Sequence, residues 1–113
     1  MSVGYIPCSP GGRSRWLQIT DLGGRDYLLT FRWNQRAGRW VLDVATEGGD
    51  VIAAGRVLVP SMPVLRGVRD ARAPEGMLVL LDTQAEREGI DDPTFTSLGA
   101  RHLLVYLDKE DLP

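Results

Sequence analysis

Residues 26–46 alternate with a period of two along almost their whole length, and that feature restricts the chain to a β fold. Tyr27, Leu29, Phe31 and Trp33 share one parity, while Leu28, Thr30, Arg32 and Asn34 share the other. Successive side chains on a strand point to opposite faces, whereas a helix would scatter the same residues around its axis. After the short connection Gln35-Arg36-Ala37-Gly38, the residues Trp40, Leu42 and Val44 return on one face, opposite Val41 and Asp43. Gly38 suits the left-handed backbone of a tight hairpin. Two aromatic-rich faces of this kind are expected to pair and form the centre of the core, with Trp33 and Trp40 inside it.

The remaining chain reads as further short strands divided by turns. Arg15 to Asp21 alternates, with Leu17 and Ile19 on one side and Trp16, Gln18 and Thr20 on the other. We expect Leu17 and Ile19 to face the core, which leaves Trp16 outside. Val51 to Val59 forms another strand, and its Ala53-Ala54-Gly55 step predicts a bulge or a close backbone approach. Arg66, Arg69 and Arg72 recur every three residues, but Gly67 and the flanking prolines argue against a stable helix there. Met77 to Leu81 is a nearly continuous apolar strand, and 82–99 is acidic and turn-rich. The last strand, His102 to Asp108, is apolar on both faces, with Leu103, Val105 and Leu107 set against Leu104 and Tyr106. The expected fold is all-β: a small antiparallel sandwich or barrel of about six to eight strands. Residues 15–113 form this one β domain. Residues 1–14, rich in glycine, proline and serine, are expected to form a flexible N-terminal arm that orders against a neighbouring subunit.

At 113 residues and 43% apolar composition the chain has material for one modest core without metal or disulfide staples. Its thirteen basic and fifteen acidic residues leave a net charge of −2, so no global basic field favours DNA or RNA. All the basic residues except Lys109 are arginine, a bias that a high-GC genome also produces and that enriches interface chemistry. Cys8 is alone, no basic-then-apolar leader is visible, and no apolar run approaches the ~20 residues that span a bilayer. These features predict a protein made in a reducing cytoplasm, with no membrane insertion.

Catalytic motifs are missing. Lys109 lacks a phosphate-cradling context, the glycines never fall as G-x-G-x-x-G, and no G-x-S-x-G elbow occurs. One histidine and one cysteine do not make a structural zinc site. His102, at the head of an apolar strand, reads as a hydrogen-bonded structural histidine with no positioned serine to pair with it. Among Asp82, Glu86, Glu88, Asp91 and Asp92, Arg87 occupies the position where a calcium loop needs glycine, so this stretch reads as a solvated acidic loop. No catalytic, cofactor or metal residues are assigned, and the chain is not expected to be an enzyme.

Trp16, Leu104 and Tyr106, on faces read as opposite the core, and Arg32, Arg66, Arg69 and Arg72 are the candidate interface residues. Their types suit protein–protein contact. The alternative is a small β-barrel module that stacks single-stranded nucleic acid or binds a peptide, against which the net negative charge weighs.

The stretch from Tyr27 to Val44, its continuation from Gly49 to Pro60, and the segment from Pro93 to Gly99 leading into Leu103–Tyr106 resemble the baseplate plug proteins of contractile-tailed bacteriophages. The resemblance runs in order over roughly residues 15–107. It aligns Trp33, Asn34, Arg36, Gly38 and Trp40 with the family hairpin as fold determinants. It implies a small β-rich virion protein at the distal end of the tail, in the hub between the tail-tube end and the membrane-piercing spike. A three-fold position there implies three copies, with hub, tube and spike proteins as partners and no family catalytic residues. The arginine segment 66–72 and the N-terminal tail depart from the family pattern.

Overall fold

The computed structural model describes residues 3–8 and 11–108. Among these residues seven strands and one short helix follow each other. They are β1 (Val3–Ile6), β2 (Arg15–Leu22), β3 (Arg25–Asn34), β4 (Arg39–Thr46), β5 (Val51–Val57), β6 (Met77–Asp82), α1 (Ala85–Glu88) and β7 (His102–Leu107). Strands β2 to β5 form an antiparallel meander in sequence order, and β1-β7-β6 form a second antiparallel sheet. The two sheets close over one core as a sandwich. Tyr27, Leu29, Phe31, Trp40 and Leu42 enter it from one side, and Ile6, Leu78, Leu80, Leu104 and Tyr106 from the other. Each such fully buried side chain contributes on the order of 1.5–3 kcal/mol through removal of apolar surface from water.

The two aromatic-rich faces pair as expected across the β3–β4 hairpin, with Trp33 opposite Trp40, Phe31 opposite Leu42 and Leu29 opposite Val44. Asn34 closes its turn: the backbone carbonyl accepts from the Gly38 N–H at 2.8 Å and the side chain from the Ala37 N–H at 3.1 Å. The predicted irregularity in β5 is present as register shifts against β4 between Leu42 and Ala45. Gly55 adopts φ +71° at this point, and its N–H donates to the Asp43 carboxylate at 2.8 Å. A left-handed backbone there explains why the small-residue step ends in glycine.

Three placements correct the sequence reading. Trp16 is inside, only 6% exposed, while Leu17 and Ile19 are 51% and 53% exposed. The β2–β3 register decides this, because Trp16 pairs with Phe31, Gln18 with Leu29 and Thr20 with Tyr27, all on the inner parity of β3. The polar groups carried inward on that parity are satisfied locally. The Trp16 indole donates to Gln18 Oε1 at 2.9 Å, and the Gln18 amide donates to Thr20 Oγ1 and to the Pro7 carbonyl.

Leu104 and Tyr106 likewise face the core, at 0% and 6% exposure, and Leu103, Val105 and Leu107 take the outer side of β7. Both parities of β7 are apolar, so alternation alone carries no direction. The inner face is set by pairing with β6, where Tyr106 lies opposite Leu78 and Leu104 opposite Leu80.

The third correction concerns the expected N-terminal arm. Val3 to Ile6 pair antiparallel with β7, from Val3 opposite Leu107 to Ile6 opposite Leu104. This strand covers an edge of β7 that would otherwise present unpaired backbone groups. Ile6 and Cys8 are buried in the core, and Gly99, at φ +86°, passes so near the Cys8 carbonyl that any Cβ would collide with it. Residues 1, 2, 9 and 10 of the expected arm lie outside the described residues.

Candidate interaction surface

Of the seven candidate interface residues, the structure brings three into the core and leaves four arginines at the surface. Trp16 belongs to an aromatic cluster with Phe31, Trp33, Trp40 and Phe95. The Trp40 indole donates to the Thr94 carbonyl at 2.9 Å, which ties the 91–98 loop to the turn end of the β3–β4 hairpin. Phe95 stacks on Trp40 at 5.8 Å, a core contact with no periodic signal in the sequence because its segment is irregular.

The arginines divide by what holds them. Arg32 forms a two-point pair with Asp43 at 3.0 and 3.2 Å on the outer face of the four-stranded sheet. Burial raises the Asp43 pKa, but the Arg32 hydrogen bond and the Gly55 N–H outweigh it and hold the carboxyl below its usual value. Arg72 grips Asp70 through both carboxylate oxygens at 2.7 and 3.0 Å and reaches the Val51 carbonyl at 3.2 Å. Its own carbonyl accepts the Tyr27 hydroxyl at 2.7 Å. Arg56, not singled out from the sequence, donates to the carbonyls of Val64 and Arg66. The 60–76 segment is therefore a loop clasped to the sandwich by arginine-to-carbonyl bonds, as its glycine and prolines predicted. Arg66 and Arg69 point from it into solvent.

The remaining chemistry-bearing residues serve as structural ties. His102 is 1% exposed. Its Nε2–H donates to the Asp91 carbonyl at 2.8 Å, and Nδ1 lies 2.9 Å from Ser97 Oγ. A serine is thus positioned against the imidazole after all, contrary to the sequence reading. It is spent structurally: Ser97 Oγ accepts the Thr94 N–H at 2.7 Å, and the ring is shut away from solvent. Asp82 is committed to Arg101 through two bonds of 2.7 and 2.8 Å, while Arg101 also meets Glu88. No carboxylate cluster able to hold a metal occurs among the described residues. Cys8 is buried, and burial pushes its thiol up to about 12, so it is a poor nucleophile and a poor metal ligand. A polar cleft of about 420 Å³ lies beside Leu22, Arg25, Glu75, Tyr106 and Asp108, but two of its walls are already engaged. Arg25 donates to the Ala73 carbonyl, and the Tyr106 hydroxyl accepts the Gly76 N–H.

What remains are two outer faces with apolar residues on them, of which Val41, Val79 and Val105 are buried by their neighbours. On the four-stranded sheet the parity opposite the core carries Leu17, Ile19, Leu28, Val41 and Val57. On the three-stranded sheet it carries Tyr5, Val79, Leu81, Leu103 and Val105. Tyr5, Leu17, Ile19, Val57 and Leu81 are all exposed. A sheet face that met only water would carry fewer exposed aliphatic side chains among its polar ones.

Comparison with known families decides what kind of chain carries such faces. The model of the family described as "Cyanophage baseplate Pam3 plug gp18" matches residues 5–110. The chain belongs to this baseplate plug family. No curated protein matches it. The match runs from within β1 through β7, and so takes in the second half of the N-terminal strand and the 66–72 arginine segment that the sequence resemblance had set apart. Membership in the plug family gives the chain a structural role in a baseplate, and no helix among the described residues is long and apolar enough to cross a membrane.

Proposed function

We propose that this protein is the plug of a contractile phage tail, a non-enzymatic virion component joining the end of the tail tube and the hub to the central spike. Three copies around the tail axis, each contacting tube, hub and spike proteins, complete the reading. The observation that carries it is the pair of apolar outer faces on a sandwich of a baseplate plug family. A part wedged between neighbours needs apolar, hydrogen-bond-neutral surfaces on more than one side, and exposed apolar faces of this kind mark binding sites. The exposed Arg66 and Arg69 add two charged contacts at a loop tip.

Nucleic acid is disfavoured as the partner. Arg32 and Arg72 are neutralised by Asp43 and Asp70, and among the described residues Tyr5 is the one strongly exposed aromatic ring, too few for a stacking platform. Leu81→Glu and Leu103→Glu on the outer face of the three-stranded sheet test the proposal. The variant should fold with the wild-type circular dichroism spectrum, yet leave tails that fail to complete a baseplate when it replaces the natural chain. Normal, infectious tails carrying both substitutions would overturn this use of the face. Salt-dependent binding of a labelled oligonucleotide would point to the nucleic-acid module instead.

A further inference from the structure

The outer face of the four-stranded sheet is ordered by charge along the strands. Across β2 and β3 the paired rows run Arg15–Arg32, Leu17–Thr30, Ile19–Leu28 and Asp21–Asp26. On β2 and β3 one end of the face is therefore basic and the other acidic, with Leu17, Ile19 and Leu28 between them, and Arg32 is already paired with Asp43 of β4. Across β4 and β5 the Arg15–Arg32 row runs on into Val41 and Val57, the Leu17–Thr30 row meets Asp43, and the Ile19–Leu28 row runs on into Ala45 and Val51. Arg15, Asp21 and Asp26 are exposed and form no salt bridge within the described residues.

We propose that this face docks a second copy of the chain, related by a two-fold axis lying between the sheets and running across the strands. Such an axis reverses strand direction and sets the basic end of each copy over the acidic end of the other. It places Arg15 over the second copy's Asp21 and Leu17 over its Ile19, while Arg32 stays paired with Asp43 of its own copy. Each contact then occurs twice, as an isologous interface requires. An axis along the strands would instead lay basic end on basic end, which like-charge repulsion disfavours.

The footprint sets the strength. Four strands ~4.8 Å apart and about five residues long cover roughly 20 Å by 17 Å. That is under the ~800 Å² per partner of a standard stable interface, so the dimer is weak, reversible and salt-sensitive. It is a state of the free protein. It leaves the outer face of the three-stranded sheet open, and it stands or falls independently of the plug assignment.

Sedimentation velocity of the full chain, from micromolar to millimolar concentration at low and at high salt, tests it. The expected result is a monomer–dimer equilibrium weakened by salt. Arg15→Asp alone and Asp21→Arg alone should each lower the association constant by about tenfold or more, since each change sets like charges in contact twice. The double variant R15D/D21R should restore it, because the swapped charges face each other only between copies. Arg15 and Asp21 lie at opposite ends of β2, so a rescue has no intramolecular route. A wild-type chain that stays monomeric throughout overturns the proposal, as does a dimer indifferent to the single swaps or one that the double swap fails to restore.

Discussion

Trp16 lies flat on Phe31, with ring centroids 4.5 Å apart and planes 9° from parallel, because the two residues face each other across the β2–β3 ladder. The same indole meets Trp40 edge-on at 5.3 Å. Leu17, its neighbour in sequence, points into solvent. Trp16→Ala should therefore destabilise the fold by about 3–5 kcal/mol, the cost of a large core cavity. Leu17→Ala should stay within about 0.5 kcal/mol of the parent. Urea unfolding of the two variants checks the strand's orientation, and equal losses would contradict it.

Tyr106 is both a core ring and a hydroxyl tie. Its oxygen accepts the Gly76 N–H at 2.8 Å and so anchors the end of the 60–76 loop at the start of β6. Tyr106→Phe keeps the packing but leaves that N–H without its acceptor. The expected cost is about 1–3 kcal/mol, with faster amide exchange at Gly76 and the residues before it.

The N-terminal strand has its own reporter. Cys8 is buried, and desolvation holds its thiol at about 12, so it should resist alkylation at mildly alkaline pH in the folded chain and react at once in denaturant. Deletion of residues 1–8 should expose the β7 edge and lower the unfolding midpoint. A fully stable truncated chain would mean that β1 is only laid against the sheet.

Acid should loosen the molecule through Asp82 and Asp70. The Arg101 guanidinium beside Asp82 holds that carboxyl well below the usual range, with burial opposing and the N–H groups of Gln84 and Asp91 assisting. Hydrogen bonds from the Arg72 side chain and backbone hold Asp70 at about 2. An unfolded aspartate titrates near ~3.9, so the unfolded chain takes up protons first as pH falls. The stabilisation is complete above that value and is lost as pH drops from about 4 towards 2. Thermal melts across this interval should show the midpoint falling, and Asp82→Asn should make the fall shallower while lowering the midpoint at neutral pH.

The parts of the fold legible in the sequence were those where polar residues marked one parity as the outer one. The β3–β4 hairpin is the clear case, since Arg32, Asn34 and Asp43 leave no doubt about which side Phe31 and Leu42 take. β2 misled because Gln18 and Thr20 share Trp16's parity, and their inward placement depends on partners in other segments, such as the Pro7 carbonyl. β7 carried no direction at all, being apolar on both sides. The N-terminal strand was hidden by the glycine and prolines around it, and its order comes from long-range pairing to β7 that no local pattern encodes. For the interface, the sequence favoured large aromatic residues, which the core takes first. The exposed aliphatic rows of β2 and β5 became visible only once the register was known.

The central claim is that this sandwich sits in a baseplate with neighbours on its outer faces. Cryo-electron microscopy of intact tails from the chain's own source tests it most directly. The account predicts density for the seven-stranded sandwich at the distal end of the tail tube, in contact with tube, hub and spike, with the outer face of β1-β7-β6 covered by a neighbour. Complete, well-resolved baseplates with no density for this chain would contradict it.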